Sequence, residues 1–223
     1  MEMPDVGTSG ETLVKDYGLY HQVRLDGDKS LKDMAETWRK AQGRLKIRVD
    51  ADEAAITAVR TAAAVRDGED AALDETVREF YGALLSKAKN DRQSPLFAIY
   101  FPEGVPAMVN APMEAEIQKV SVLLKKLEQD EDEGLRNFAG PITETMNHLM
   151  AAIDAHKAAV DAEVQAYGLV QMEKVNWFDS YKLSHRTLGQ RFYKDRKKPD
   201  TYFKPAPKRK RPPGGPPQET PKA

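Results

Sequence analysis

The chain of 223 residues has no cysteine and only 4 histidines. The first absence excludes disulfides, thiolate catalysis, Cys-ligated zinc and iron–sulfur clusters. The second leaves little material for an imidazole metal site. No apolar run approaches the roughly 18 residues that a membrane-spanning helix needs, and the mean hydropathy is -0.63. The opening MEMPDVGTSGETLV lacks the basic-then-apolar order of a secretory signal. Recurring catalytic motifs are missing as well: there is no phosphate-cradling G-x-x-x-x-G-K or G-x-G-x-x-G, no G-x-S-x-G elbow and no H-E-x-x-H. Glu-x-x-His pairs of the di-iron kind do not occur. Glu144 and His148 lie four apart, but His148 falls off the apolar stripe, whereas His156 falls on it. The run Glu128–Glu133 is contiguous and its glycine, Gly134, comes after it, unlike a calcium loop with its internal glycine. These absences predict a soluble, cytoplasmic protein that is not an enzyme, with no cofactor, no metal, no membrane span and no small-molecule substrate.

What is present is charge, and it is unevenly placed. The net charge is -1, yet residues 174–223 hold 14 Lys and Arg against 4 Asp and Glu, and residues 1–173 hold 20 against 31. A basic end on an acidic body concerns partners more than fold.

Apolar residues recur at helical spacing along most of the chain, which predicts an all-α fold: an elongated antiparallel bundle of about four long helices. Ser30 and Asp33 mark a start, and Leu31, Met34, Trp38, Ala41 and Leu45 form the first stripe, with a stop at Asp67–Gly68. A second helix covers about 70–90, with Leu73, Val77, Phe80 and Leu84 on one face. A third begins near Pro112 and passes through the acidic run to Phe138. Gly140–Pro141 opens a fourth, which extends through Trp177, Tyr181, Leu188 and Phe192 until Pro199 stops it. The organisation expected is a flexible arm over 1–27, a bundle over 28–198 and a disordered Pro/Gly/Lys/Arg-rich tail over 199–223, with Tyr202 and Phe203 as a final anchor.

Two segments carry the candidate sites. In SPLFAIYFPEGVPAMVNAP, residues 94–112, prolines at 102, 106 and 112 argue against one continuous helix and for a hairpin or extended loop. Either it caps one end of the bundle, or Leu96, Phe97, Ile99, Tyr100, Phe101, Val105 and Met108 form an apolar finger that docks a protein partner or a second copy. In the C-terminal region, eight aromatics between Tyr167 and Phe203 alternate with basic residues. That mixture suits phosphates and stacked bases; it equally fits a buried aromatic stripe with a wet basic side. The nucleic-acid candidates are Arg186, Arg191, Arg196, Lys197 and Lys198, with Lys208, Arg209, Lys210 and Arg211 in the tail. The last four resemble a nuclear-import signal, which predicts nuclear entry if the source is eukaryotic. The leading expectation is therefore a non-enzymatic interaction or structural protein, and the alternative is a nucleic-acid-binding protein.

Overall fold

The computed structural model describes residues 3–205, which fold as helices joined by turns, with no strand among them. The all-α expectation holds. The chain divides into two units, one formed by Met1–Asp52 with Tyr167–Ala223 and the other by Glu53–Ala166. Each has its own apolar core.

The first helix, α1, covers 10–26 as three consecutive pieces, Gly10–Thr12, Leu13–Gly18 and Leu19–Asp26, of which the middle one is a π-helical turn. Ser9 caps it, its side chain accepting from the backbone N–H of Thr12. Val14, Tyr17, His21 and Leu25 recur every three or four residues and are all buried. Within the segment expected as a flexible arm, 1–27, the apolar stripe is part of the first core. Lys174, itself only 6 % exposed, adds a bond from Nζ to the carbonyl of Val6 at 2.9 Å.

The second helix, α2, runs unbroken over Lys32–Lys87. The stop expected at Asp67–Gly68 does not occur. A lone glycine costs a helix only about 1 kcal/mol, and neither a second glycine nor a proline stands beside Gly68. The hairpin expected over 94–112 is likewise corrected. Helices α3, Pro95–Tyr100, and α4, Pro106–Val109, each begin with a proline. A first-turn proline loses no intrahelical bond, so these prolines start helices while Pro102 separates them.

Helix α5 spans Met113–Glu128 and stops at the acidic run; a short α6, Glu133–Arg136, follows, and α7 spans Ala139–Arg191. The expected continuation from Pro112 to Phe138 fails for an electrostatic reason. Carboxylates in a last turn oppose the helix dipole, and here they serve the turn instead. Asp130 Oδ1 accepts from the N–H of Asp132, Asp132 caps α6 through the N–H of Leu135, and the hydroxyl of Tyr100 donates to Asp130. Asp132 also pairs with Lys87. One long helix, α2, therefore replaces the first two expected, and α5 and α7 stand where the third and fourth were expected. After Arg191 the described chain turns back through a short 3-10 stretch, Pro199–Tyr202, and buries Tyr202 and Phe203 in the first core.

Candidate functional site

In the second unit, the turn between α3 and α4 stands over the face of α5. Pro102 and Glu103 lead into Gly104, whose φ of 83° lies where side chains are disfavoured. The N–H of Gly104 donates to the carbonyl of Phe101 at 3.0 Å, closing the turn. Two lysines of α5 fasten it. Lys119 Nζ donates to Glu103 Oε2 at 2.6 Å and to the carbonyl of Ala107 at 2.9 Å, and Lys126 Nζ donates to the carbonyl of Ile99 at 2.5 Å. The ammonium of Lys119 holds the Glu103 carboxyl below the ordinary range. The result is a cleft of about 310 Å³. Phe101, Ala107, Met108, Ala115 and Val122 supply its apolar surface, and Glu103, Lys119 and Lys126 stand on its rim.

The seven side chains expected to form a finger are distributed by this arrangement. Phe97, Tyr100, Phe101 and Met108 are buried in the second core, Leu96 and Val105 are half-buried against it, and Ile99 is exposed. Val122, 52 % exposed, adds apolar surface that the sequence did not flag.

The basic C-terminal candidates separate too. Arg191 is exposed but engaged by the chain's own groups: its guanidinium makes two bonds to the Asp33 carboxylate, at 2.9 and 3.1 Å, and one to the carbonyl of Ser30 at 2.8 Å. This bidentate pairing pulls the Asp33 carboxyl below its usual value. Lys198 lies over the Phe192 ring, 4.0 Å from its centroid. Arg186, Arg196 and Lys197 are exposed. Lys208, Arg209, Lys210 and Arg211 lie outside the described residues. Of the eight aromatics, Trp177, Phe178, Tyr181, Tyr202 and Phe203 are buried in the first core, while Tyr167 and Tyr193 are exposed.

The chemistry that the sequence did not flag is buried. His21, fully enclosed in the first unit, stacks on Phe203 at 4.4 Å and meets Trp38 edge-on at 4.8 Å. Its Nδ1 lies 2.9 Å from the carbonyl of Tyr202 and its Nε2 2.7 Å from the hydroxyl of Ser184. A carbonyl only accepts, so Nδ1 carries the proton and Nε2 accepts from Ser184. Burial pushes the His21 pKa down to about 4. A histidine held so strongly neutral is a poor general base at neutral pH, and it works as a tie between α1, α7 and the returning C-terminal segment.

In the second unit, Glu116 of α5 is 1 % exposed and meets Asp70 and Asp74 of α2. Both sites carried a readable signal. His21 continues the stripe of Val14, Tyr17 and Leu25, and Glu116 precedes Val120 by one helical turn. His156 is half-buried with Nδ1 3.4 Å from Arg66 Nη1, and His148 is exposed, 3.8 Å from Glu69. Among the described residues, no three or more His, Asp or Glu side chains are arranged to hold a metal ion, and no helix is long and apolar enough to cross a membrane. No protein-family model, no curated protein and no solved structure matches this chain.

Proposed function

We propose that the chain is a non-enzymatic interaction protein whose second unit receives an apolar side chain from a protein partner, in the cleft between the 101–108 turn and α5. The observation that carries this reading is the cleft itself: about 310 Å³ of space beside the half-exposed Val122, held open by lysines that fasten the turn. Its rim has two cations, Lys119 and Lys126, against one carboxylate, Glu103. That balance favours an apolar anchor flanked by acidic residues. The test is selection of peptides on the full chain from a random displayed library. The selected sequences are expected to share a bulky apolar residue next to Asp or Glu, and to lose binding to Val122→Glu, which places a charge at the cleft. Selected peptides that bind Val122→Glu equally well overturn the reading.

A second reading, nucleic-acid binding, draws on the exposed end of the first unit. Arg186, Arg196 and Lys197 are exposed there, and Tyr193 is 69 % exposed with Lys194 Nζ 5.6 Å from its ring centroid. Cations beside an open aromatic face suit a single strand, and the tail, Lys208–Arg211 included, adds charge. This reading requires binding that weakens steeply with salt and depends on residues 199–223.

A further inference from the structure

In the second unit, α2 carries Asp70 and Asp74 one turn apart, and Glu116 reaches them from the first turn of α5. Glu116 Oε1, Asp70 Oδ1 and Asp74 Oδ1 are all buried with no hydrogen-bond partner. Buried oxygens of this kind are normally paired, because an unpaired buried carboxylate loses its hydration without return.

Of the cations in this neighbourhood, one pairs with the outer edge of the triad and the others are directed elsewhere. Arg78 Nη2 donates to the outer oxygen of Asp74 at 2.8 Å, leaving Oδ1 bare. Arg66 spends its guanidinium on Asp67, at 2.7 and 3.0 Å, and faces His156 of α7. Lys119, next along the chain from Glu116 among the basic residues, is drawn to Glu103 and the carbonyl of Ala107. Asp67 adds a further negative charge. Three carboxylates facing one another across two helices cannot all ionise, and the group that remains protonated supplies the missing donor.

We propose that Asp70, Asp74 and Glu116 form a proton-held clasp between α2 and α5, closed while the triad keeps a shared proton and opened when that proton leaves. Burial first, and then the charges of Asp70 and Asp74, push the Glu116 pKa up to about 8, whereas burial and then Asp74 raise that of Asp70. A carboxyl raised on folding stabilises the folded form fully below its ordinary value of 4.5. That contribution is lost as pH rises through about 8. The clasp therefore weakens progressively from about pH 4.5 and has lost its contribution above about pH 8. Ala115 and Lys119, close to Glu116 on α5, line the cleft described above, so opening alters that cleft whether or not a partner uses it.

Hydrogen exchange of the full chain, measured from pH 6 to pH 9 and corrected for intrinsic exchange, tests the clasp through the amides of 113–120. In the native chain their protection is expected to fall as pH rises, by up to about tenfold per pH unit for one linked proton. Glu116→Gln supplies amide donors without a proton, so its protection is expected to stay level and to exceed that of the native chain at pH 9. Asp70→Asn removes one of the charges that raise the Glu116 pKa, so its fall is expected to be smaller and to end at lower pH, and it carries the test if Glu116→Gln does not fold. Level protection in the native chain, or an unchanged fall in the variants that fold, overturns the proposal. So does protection at pH 9 restored by magnesium or calcium chloride in the native chain but not in Glu116→Gln, which assigns the triad to a divalent cation.

Discussion

His21 is enclosed by aromatic rings and bonded through both ring nitrogens, and its proton is withheld by burial. Its pKa of about 4 when folded lies below the ordinary 6.5, so the unfolded chain binds the extra proton first. Stability from this group is present above pH 6.5 and is lost as pH falls towards 4, on the order of 3 kcal/mol in all. Both tryptophans, Trp38 and Trp177, belong to the same core, so their fluorescence in urea titrations reports that loss directly. A midpoint that does not fall between pH 6.5 and 4 contradicts the assignment. Gly18 is the other residue on which this core turns. A Cβ there would meet the Gln42 side chain at 2.0–2.4 Å. Gln42 has no room to yield: its Nε2 donates to the carbonyl of Val14 and its Oε1 accepts from Trp177 Nε1, both at 2.7 Å. Gly18→Ala is expected to cost about 2–3 kcal/mol by breaking these bonds, read from the same fluorescence midpoints; a loss well under 1 kcal/mol refutes the close approach.

Among elements, the long helices were legible in the sequence by their stripes but not by their ends. Leu73, Val77, Phe80 and Leu84 were placed on one face, and all four are fully buried. The stop at Gly68 was misplaced because a glycine weakens a helix without ending one, and nothing lies within 4 Å of a Cβ built there. Gly68→Ala is accordingly expected to stabilise the chain by about 0.5–1 kcal/mol, seen as a higher unfolding midpoint; a lower midpoint contradicts a continuous α2. The proline-rich segment was misread for the opposite reason. Proline blocks a helix interior but suits a first turn, and only the spacing of Pro95, Pro102 and Pro106 separates the cases. Glu116 and His21 were missed because a polar residue within an apolar stripe is ambiguous until its partners, which lie far away in the chain, are known.

At the scale of the whole molecule, the charge asymmetry seen in the sequence follows the two units. The unit Glu53–Ala166 holds 11 Lys and Arg against 20 Asp and Glu, and the rest of the chain holds 23 against 15. Each unit has its own core and its own buried titratable group, with opposite pH dependence: acid destabilises the unit with His21, and alkali the unit with Glu116. The cleft lies in the acidic unit yet has two lysines on its rim, a local reversal of sign that an acid-flanked apolar segment can use. Nucleic acid would instead favour the basic unit. The two readings therefore differ in both place and salt response. The most direct measurement titrates the full chain and Val122→Glu with a selected acid-flanked apolar peptide and with mixed-sequence DNA, each at 50 and 200 mM salt. Peptide binding is expected to change by only a few-fold with salt and to be lost in Val122→Glu. The interaction reading is contradicted if the peptide ignores that substitution while DNA binds and weakens by roughly three to five orders of magnitude, as expected for about six to ten phosphate contacts.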